Sequence, residues 1–358
     1  MSVLDCIALS LVGWVNRGDM DPGVNARRPI FVAIGGDSGS GKSTLTAGFY
    51  RIFPTSRISS LCLDDYHSLD RRERGLVGIT GLNPRATDFA LMENQLLALK
   101  QGQTIRKPVY DHSNGTFGPP EELRARDVVI VQGLHPFLVS GIRGLFDLKV
   151  WLDPEEELKH RWKVQRDVAK RGYTEEAVRK EIDARRPDVE NYIAPQIRDA
   201  DLIVHFYRPE GREDDEHLNV RIIQRSTLPR LNLDGLLNEA ANGLRVSLTG
   251  DNGTGAEILE IDGDLDPEAA SGLEDRIWAH MDERHQQMRH LAPDQLGAFT
   301  DGVLRSHHSD PLALTQLLLV HRILSARKSM LLKVPLSVHE SLIHQQEVTE
   351  LAHEHEHV

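Results

Sequence analysis

Two groups of residues in this chain have the types and spacing needed for phosphoryl chemistry. The first is Gly36-Asp37-Ser38-Gly39-Ser40-Gly41-Lys42-Ser43, with Thr44 after it. The pattern is G-x-x-x-x-G-K-[ST], a loop whose glycines let backbone N–H groups turn inward around a polyphosphate. Lys42 is placed to reach the β- and γ-phosphates, and Ser43 to hold Mg²⁺. The second group is Asp64-Asp65, two carboxylates of the kind that serve as a general base and a metal partner. The competing reading of Asp65 is a helix cap. Gln132 stands at a third position of interest, where many phosphate-loop enzymes carry an acid that organises Mg²⁺. It is a neutral amide.

These residues need elements to hold them. Ile30 to Ile34 is an apolar run that reads as a buried parallel strand, and a helix follows the glycine loop with its positive end on the anion. That flanking context separates a phosphate site from a chance glycine-rich turn, and it implies a bound nucleoside triphosphate. Arg57 to Leu63 reads as a second strand ending at Asp64-Asp65, and Asp127 to Val131 as a third ending at Gln132. In an open parallel sheet, ligands sit beyond the carboxyl ends of the strands. Leu148 to Leu152 and Asp201 to Phe206 supply two more strands. Ser68 to Asp88 reads as a polar loop over the site, Phe89 to Lys100 as a helix, and Lys107 to Gly115 as a turn-forming segment. Tyr110, Asp111 and His112 in that turn could contact a polyol, though the segment alone is a weak signal.

Glu155 to Ala184 reads as helix, loop and helix. From Lys159 to Arg186 there are ten Lys or Arg against five Asp or Glu, in a chain of net charge -12. Many of these charges belong to a solvated helix face. Arg166, Asp167 and Arg171 bracket a loop from which arginines could close over a transferred phosphate, because the planar guanidinium binds phosphate bidentately. Beyond Arg208 the composition changes. Strands are expected at Leu218 to Ile223, Leu244 to Thr249 and Ala256 to Ile261, and helices at Leu273 to Met281 and Leu312 to Leu332. This tail could extend the sheet, cover the site or form a dimer surface.

The chain as a whole has 40% apolar and 27% charged residues, ordinary for a soluble globular protein. Its acidity disfavours nucleic acid as a partner, so a phosphate site must be a local basic patch. Two cysteines, Cys6 and Cys62, are too few for a disulfide framework and fit a reducing cytoplasm. Val3 to Val15 is apolar but too short to span a membrane, and reads as a helix joined by a linker to the next strand. His353, His355 and His357 are metal-capable, with a frayed terminal helix as the plainer reading. The expected architecture is α/β. A P-loop kinase domain with a mostly parallel central sheet flanked by helices spans 30–207, after an N-terminal segment 1–29, and an α+β extension spans 208–358.

A series of segments then narrows the reading. GDSGSGKST (Gly36 to Thr44), CLDDYHSLDR (Cys62 to Arg71), GITGLNPRATDF (Gly78 to Phe89), KPVYDHSNGT (Lys107 to Thr116), GLHP (Gly133 to Pro136), KVQRDVAKRGYT (Lys163 to Thr174) and RRPDVENYIAPQ (Arg185 to Gln196) together resemble the phosphoribulokinase family, whose broader relatives are the uridine kinases. RSHHSDPLALTQLLLVHRIL (Arg305 to Leu324) resembles the longer branch of that family less sharply. The resemblance implies ATP-dependent phosphorylation of C1 of ribulose 5-phosphate, with Mg²⁺, in carbon fixation by a cytoplasmic homodimer. It assigns Asp64 as general base and Lys42, Arg166 and Asp167 as further catalytic groups. It places His67 and Arg71 on the sugar phosphate, makes Lys163, Arg166, Asp167 and Arg171 the lid and acceptor cluster, and brings an arginine of the Arg185-Arg186 pair, taken as Arg186, nearby; Tyr110 and His112 join them as substrate contacts, and Ser43, Asp65 and Gln132 as metal contacts, from the residues read above.

Two departures stand out. The family usually has Glu at the place of Gln132. By analogy with the loss of one preorganised charge stabiliser, the amide would cost on the order of 10²–10³ in rate, about 3–4 kcal/mol. Light-regulated members carry a cysteine pair, one in the phosphate loop and one just before the Asp-Asp. Here Cys62 keeps the second place while Ser40 fills the first. The alternatives are a kinase for uridine or another sugar phosphate, and a nucleotide-binding regulator of low turnover.

Overall fold

The computed structural model describes residues 28–229, 243–251, 254–281, 283–286, 288–289, 296–301 and 305–332. The helix expected at Val3 to Val15, Cys6, and the histidines at 353, 355 and 357 lie outside the described residues.

Twelve strands are described: β1 (Ile30–Gly36), β2 (Ile58–Cys62), β3 (Thr104–Asp111), β4 (Thr116–Arg124), β5 (Val128–Gly133), β6 (Leu148–Leu152), β7 (Leu202–Tyr207), β8 (Asn219–Arg225), β9 (Leu244–Asp251), β10 (Thr254–Ile261), β11 (Ala298–Thr300) and β12 (Ser306–His308). The α-helices are α1 (Lys42–Ile52), α2 (Arg71–Val77), α3 (Phe89–Lys100), α4 (Ser140–Arg143), α5 (Glu156–Arg171), α6 (Glu175–Asp188), α7 (Pro267–Ala279), α8 (Glu283–Gln286) and α9 (Asp310–Leu332).

Eight strands form one sheet in the order β2-β5-β1-β6-β7-β8-β10-β9. The pairings from β2 to β7 are parallel, and those from β7 to β9 antiparallel. β1 is buried along its whole length. Ile30, Val32 and Ile34 enter the core on one face, and Phe31 and Ala33 the core on the other. A strand covered on both faces needs a continuous apolar run, and IFVAI supplies one. α1 places Leu45, Phe49 and Ile52 at helical spacing against the first core. Burying each is worth about 1.5–3 kcal/mol, enough to hold the helix against the sheet. α9 is buried on nearly all sides from Leu312 to Leu324, as expected of a helix that is apolar all round. No helix among the described residues is long and apolar enough to cross a membrane.

The structure departs from the sequence reading in three places. Residues 68–88 are more than a loop, because they contain α2. Asp70 accepts from the Glu73 N–H while Glu73 accepts from the Asp70 N–H, a capping box, and Gly78 ends the helix at φ 68°. The turn expected over 107–115 is only the tip of a β3–β4 hairpin. α7 begins well before Leu273, because Asp266 caps it and Pro267 fills its first position, where a missing N–H costs nothing. Beyond Arg208, β8, β10 and β9 extend the sheet from β7 through β8, while β11 and β12 pair only with each other.

Candidate active site

The glycine loop leaves β1 and enters α1. Gly39 has φ 89°, and a Cβ there would lie 2.8 Å from the Lys163 Cβ and 2.9 Å from the Lys159 carbonyl oxygen of α5. Gly41 caps α1 at φ 88°. Only glycine meets both demands at position 39, a left-handed backbone and close approach to a helix. Lys42 folds over the loop, its Nζ donating to the Gly36 carbonyl at 2.8 Å and the Asp37 carbonyl at 2.7 Å. The Asp37 carboxylate pairs with Lys159 at 3.2 Å. Ser38, Gly39, Ser40, Gly41, Lys42, Ser43 and Thr44 line a cavity of about 760 Å³.

Asp64 lines the same cavity from the short helical turn after β2. Its Oδ1 accepts from the Leu134 N–H at 3.3 Å. Gly133 makes room, since a Cβ there would stand 3.2 Å from Asp64 Oδ1 and 2.6 Å from the Leu63 Cβ. Burial works to raise the Asp64 pKa, but Lys42, His67, His112 and His135 together hold it below the usual carboxylate range. Asp64 is therefore an anion facing the Lys42 end of the cavity. Gln132 also lines it, and its Oε1 accepts from Thr46 Oγ1 at 3.2 Å.

Asp65 does not join Asp64. Its oxygens take Lys107 Nζ at 2.8 Å and the Tyr110 N–H at 3.0 Å, and it is absent from the cavity lining. This corrects the expectation of a metal ligand. The carboxylate pins the β3–β4 hairpin to the sheet, and a buried acid already satisfied by an ammonium and an amide has no cause to face a cation.

On the other side of Asp64 the cavity is cationic. His67, Arg71, Tyr110, His112, Arg166 and Arg171 all line it. Arg71 donates to the His112 carbonyl at 2.7 Å and lies over the Tyr173 ring at 5.8 Å. The Tyr110 hydroxyl is committed, accepting from Arg74 at 2.7 Å and donating to the Gly115 carbonyl at 3.0 Å. Burial pushes His67 down to about 4 against the pull of Asp64, and pushes His112 down as well, so both rings are neutral at pH 7. Arg166 reaches the phosphate loop, donating to Ser38 Oγ at 3.1 Å.

Asp167 and Lys163 sit behind this surface and do not line the cavity. Asp167 is fully buried and takes Lys163 at 2.8 Å, Arg166 at 2.9 Å and Arg171 at 3.2 Å. Burial alone would raise its pKa, but Arg166 and Lys163 hold it down to about 2. The expectation that Asp167 is catalytic and Lys163 binds substrate is corrected accordingly. Asp167 holds Lys163, Arg166 and Arg171 together, and a carboxylate wrapped by three cations has no face left for a substrate. Arg186 is corrected too. It is exposed and pairs with Asp183, whereas Arg185 lines the cavity and pairs with Glu181.

Several residues escaped the sequence reading. Arg74 is buried against Tyr110 and lines the cavity, at a helical step from Arg71 that becomes visible only once α2 is recognised. Asp188 accepts from Thr80 at 2.6 Å and Asn83 at 3.2 Å, joining two motifs far apart in the chain. Gln196 donates to the Leu134 carbonyl at 2.9 Å and accepts from the Phe137 N–H at 2.9 Å, bracing the segment after β5. In all, seven Lys or Arg line the cavity against four Asp or Glu, in a protein whose net charge is -12.

The profile described as Phosphoribulokinase / Uridine kinase family matches residues 31–210, half of the chain. The chain belongs to the phosphoribulokinase/uridine kinase family. Among its relatives, the phosphoribulokinase of Synechocystis is 38% identical over 255 residues, covering 66% of this chain and 77% of the relative. The chloroplastic phosphoribulokinase of Chlamydomonas reinhardtii is 34% identical over 288 residues, covering 70% of this chain and 75% of the relative. Among solved structures, the phosphoribulokinase from Rhodobacter spheroides superposes with a TM-score of 0.54 at 18% identity, over 84% of this chain and 99% of that one. At that identity the likeness speaks for the fold. The P-loop kinase architecture of the family is thus the architecture of this chain.

Proposed function

We propose that the protein transfers the γ-phosphoryl group of ATP to the C1 hydroxyl of ribulose 5-phosphate, giving ribulose 1,5-bisphosphate and ADP. One observation carries this reading: the phosphate loop and a cluster of arginines line a single cavity with the anionic Asp64 between them. A sugar that already bears a phosphate needs a cationic cup of its own, and Arg71, Arg74, Arg171 and Arg185 provide one. The names of the Synechocystis and Chlamydomonas relatives support the same acceptor.

In this reading Asp64 accepts the C1 hydroxyl proton as that oxygen bonds to the γ-phosphorus. The bond from the γ-phosphorus to the bridging oxygen breaks, and ADP leaves. Lys42 and Arg166 oppose the charge spread over the transferred group. Asp167 holds Arg166 and Arg171 in place before substrate arrives, which is the form of preorganisation that a phosphoryl transfer needs. The oxygen donors Ser43 and Gln132 line the cavity together, hard ligands that suit Mg²⁺. When bound, the ion would neutralise phosphate charge. The reading carries with it a homodimer and a cytoplasmic location, tested by sedimentation and by cell fractionation.

A coupled ADP-release assay with ribulose 5-phosphate, with uridine and with no acceptor tests the proposal. Turnover with ribulose 5-phosphate alone is the expected result. Turnover with uridine, or none with either acceptor, would sink it.

A further inference from the structure

Two segments of the cavity wall near the acceptor arginines meet at one carboxylate. The first lies between α2 and α3, where Thr80, Gly81 and Leu82 line the cavity. The second is α6, which lines it with Glu181, Ala184 and Arg185. α6 ends at Asp188, and there the side chain crosses to the first segment. Its Oδ2 accepts from Thr80 Oγ1 at 2.6 Å, and its Oδ1 accepts from Asn83 Nδ2 at 3.2 Å. Each carboxylate oxygen thus takes one neutral donor. Asp188 itself does not line the cavity.

Both donors are fixed in turn. Thr80 Oγ1 accepts from the Leu82 N–H at 3.0 Å, and Asn83 Oδ1 accepts from the Arg85 N–H at 3.1 Å. The turn between them presses on acceptor residues. A Cβ at Gly81 would lie 3.2 Å from His67 Nε2 and 3.7 Å from the guanidinium carbon of Arg74. A shift of this turn therefore shifts the surface on which His67 and Arg74 rest. On the α6 side the backbone ladder is weakened. Pro187 removes one N–H from the last turn, and a π-helical turn over Val189–Ile193 follows. A side-chain tie has most to hold at such a place, and hydrogen bonds to a carboxylate are roughly twice as strong as neutral ones.

We propose that Asp188 is a positioning residue for the phosphorylated acceptor. It ties the end of α6 to the 80–83 turn, and so sets Arg185 on one wall of the cup against His67 and Arg74 on the other. It acts through Thr80 and Asn83 and touches no substrate. The inference rests on the kinase reading and deepens it at the acceptor end. The phosphate loop packs on α5 instead, at Lys159 and Lys163, so the tie bears on the acceptor and not on ATP.

Steady-state kinetics of the full chain, with ribulose 5-phosphate and ATP varied in turn, test this. Asp188→Ala and Thr80→Val should each raise the KM for ribulose 5-phosphate about tenfold and leave the KM for ATP within about twofold. Both remove the same tie, so the double variant should be no worse than the poorer single one, as coupled residues require. Thr80→Ser keeps the hydroxyl and should hold the KM for ribulose 5-phosphate within about twofold of the unaltered value. A general loosening of the fold would raise both KM values together. Should Asp188→Ala fail to fold, Thr80→Val against Thr80→Ser carries the same test. Additive losses, an equal rise in both KM values, or an unchanged KM for ribulose 5-phosphate would overturn the tie. If the unaltered protein does not turn over ribulose 5-phosphate, the kinase reading falls and the tie's role with it.

Discussion

Asp64 and Asp65 are neighbours with opposite fates. One faces the cavity beside Lys42 and the other is buried against Lys107 and Tyr110. The helix-cap alternative already sets Asp65 apart in the sequence; the partner that takes it out of the cavity is Lys107, brought in by a hairpin. Asp64→Asn should lower kcat by at least about 10²-fold and leave the Kd for ATP nearly unchanged, as loss of a general base requires. A large loss of ATP affinity instead would move Asp64 into the metal site. Gln132→Glu should raise kcat, by up to about 10²–10³-fold if the missing charge costs what one preorganised stabiliser costs elsewhere. A flat or lower rate would refute that account. His135 is buried, and burial pushes it down to about 4 from 6.5 although Asp64 pulls the other way. Between those values the unfolded chain binds a proton that the native state does not. Stability is therefore present above pH 6.5 and lost as pH falls toward 4, by up to about 3 kcal/mol. His135→Gln should flatten the fall in urea midpoint between pH 7 and pH 5.

At the level of elements, α1 and β1 were legible because local signals and tertiary demands agree: an apolar run, a glycine loop, then helical spacing. α2 was readable in principle, since Asp70, Glu73 and Gly78 spell a cap, a box and a stop within a stretch that otherwise looks polar and irregular. β4 was not. Its sequence TFGPPEELR has two prolines and little apolar alternation, and it is exposed along most of its length. Only pairing with β3 makes it a strand. Arg71 and Arg74 ride on α2, so its cap bears on the acceptor. Asp70→Ala should cost about 1 kcal/mol of helix stability. In steady-state kinetics it should raise the KM for ribulose 5-phosphate several-fold and leave the KM for ATP alone. An equal rise in both would mean that α2 does not serve the acceptor end.

Across the whole molecule, one sheet joins the match to the kinase family with the strands that follow it. In the tail, the sequence points to β8, β9, β10, α7 and α9 but not to β11, β12 or α8, and it leaves open where any of them docks, because docking is set by partners rather than by period. The tightest link is Gln316 of α9, which is fully buried. It donates to the Thr44 carbonyl at 3.0 Å and accepts from the Gly297 N–H at 2.9 Å. Gly48 of α1 makes room for it, since a Cβ there would lie 2.2 Å from the Gln316 side chain. Gln316→Leu orphans the buried Gly297 N–H, and should lower stability by about 1–3 kcal/mol in urea denaturation. Because that amide spans the first turn of α1 and the far helix, the triphosphate cradle and the C-terminal half should not melt apart. Heating should give one cooperative transition, with nucleotide affinity and helical signal vanishing at the same temperature.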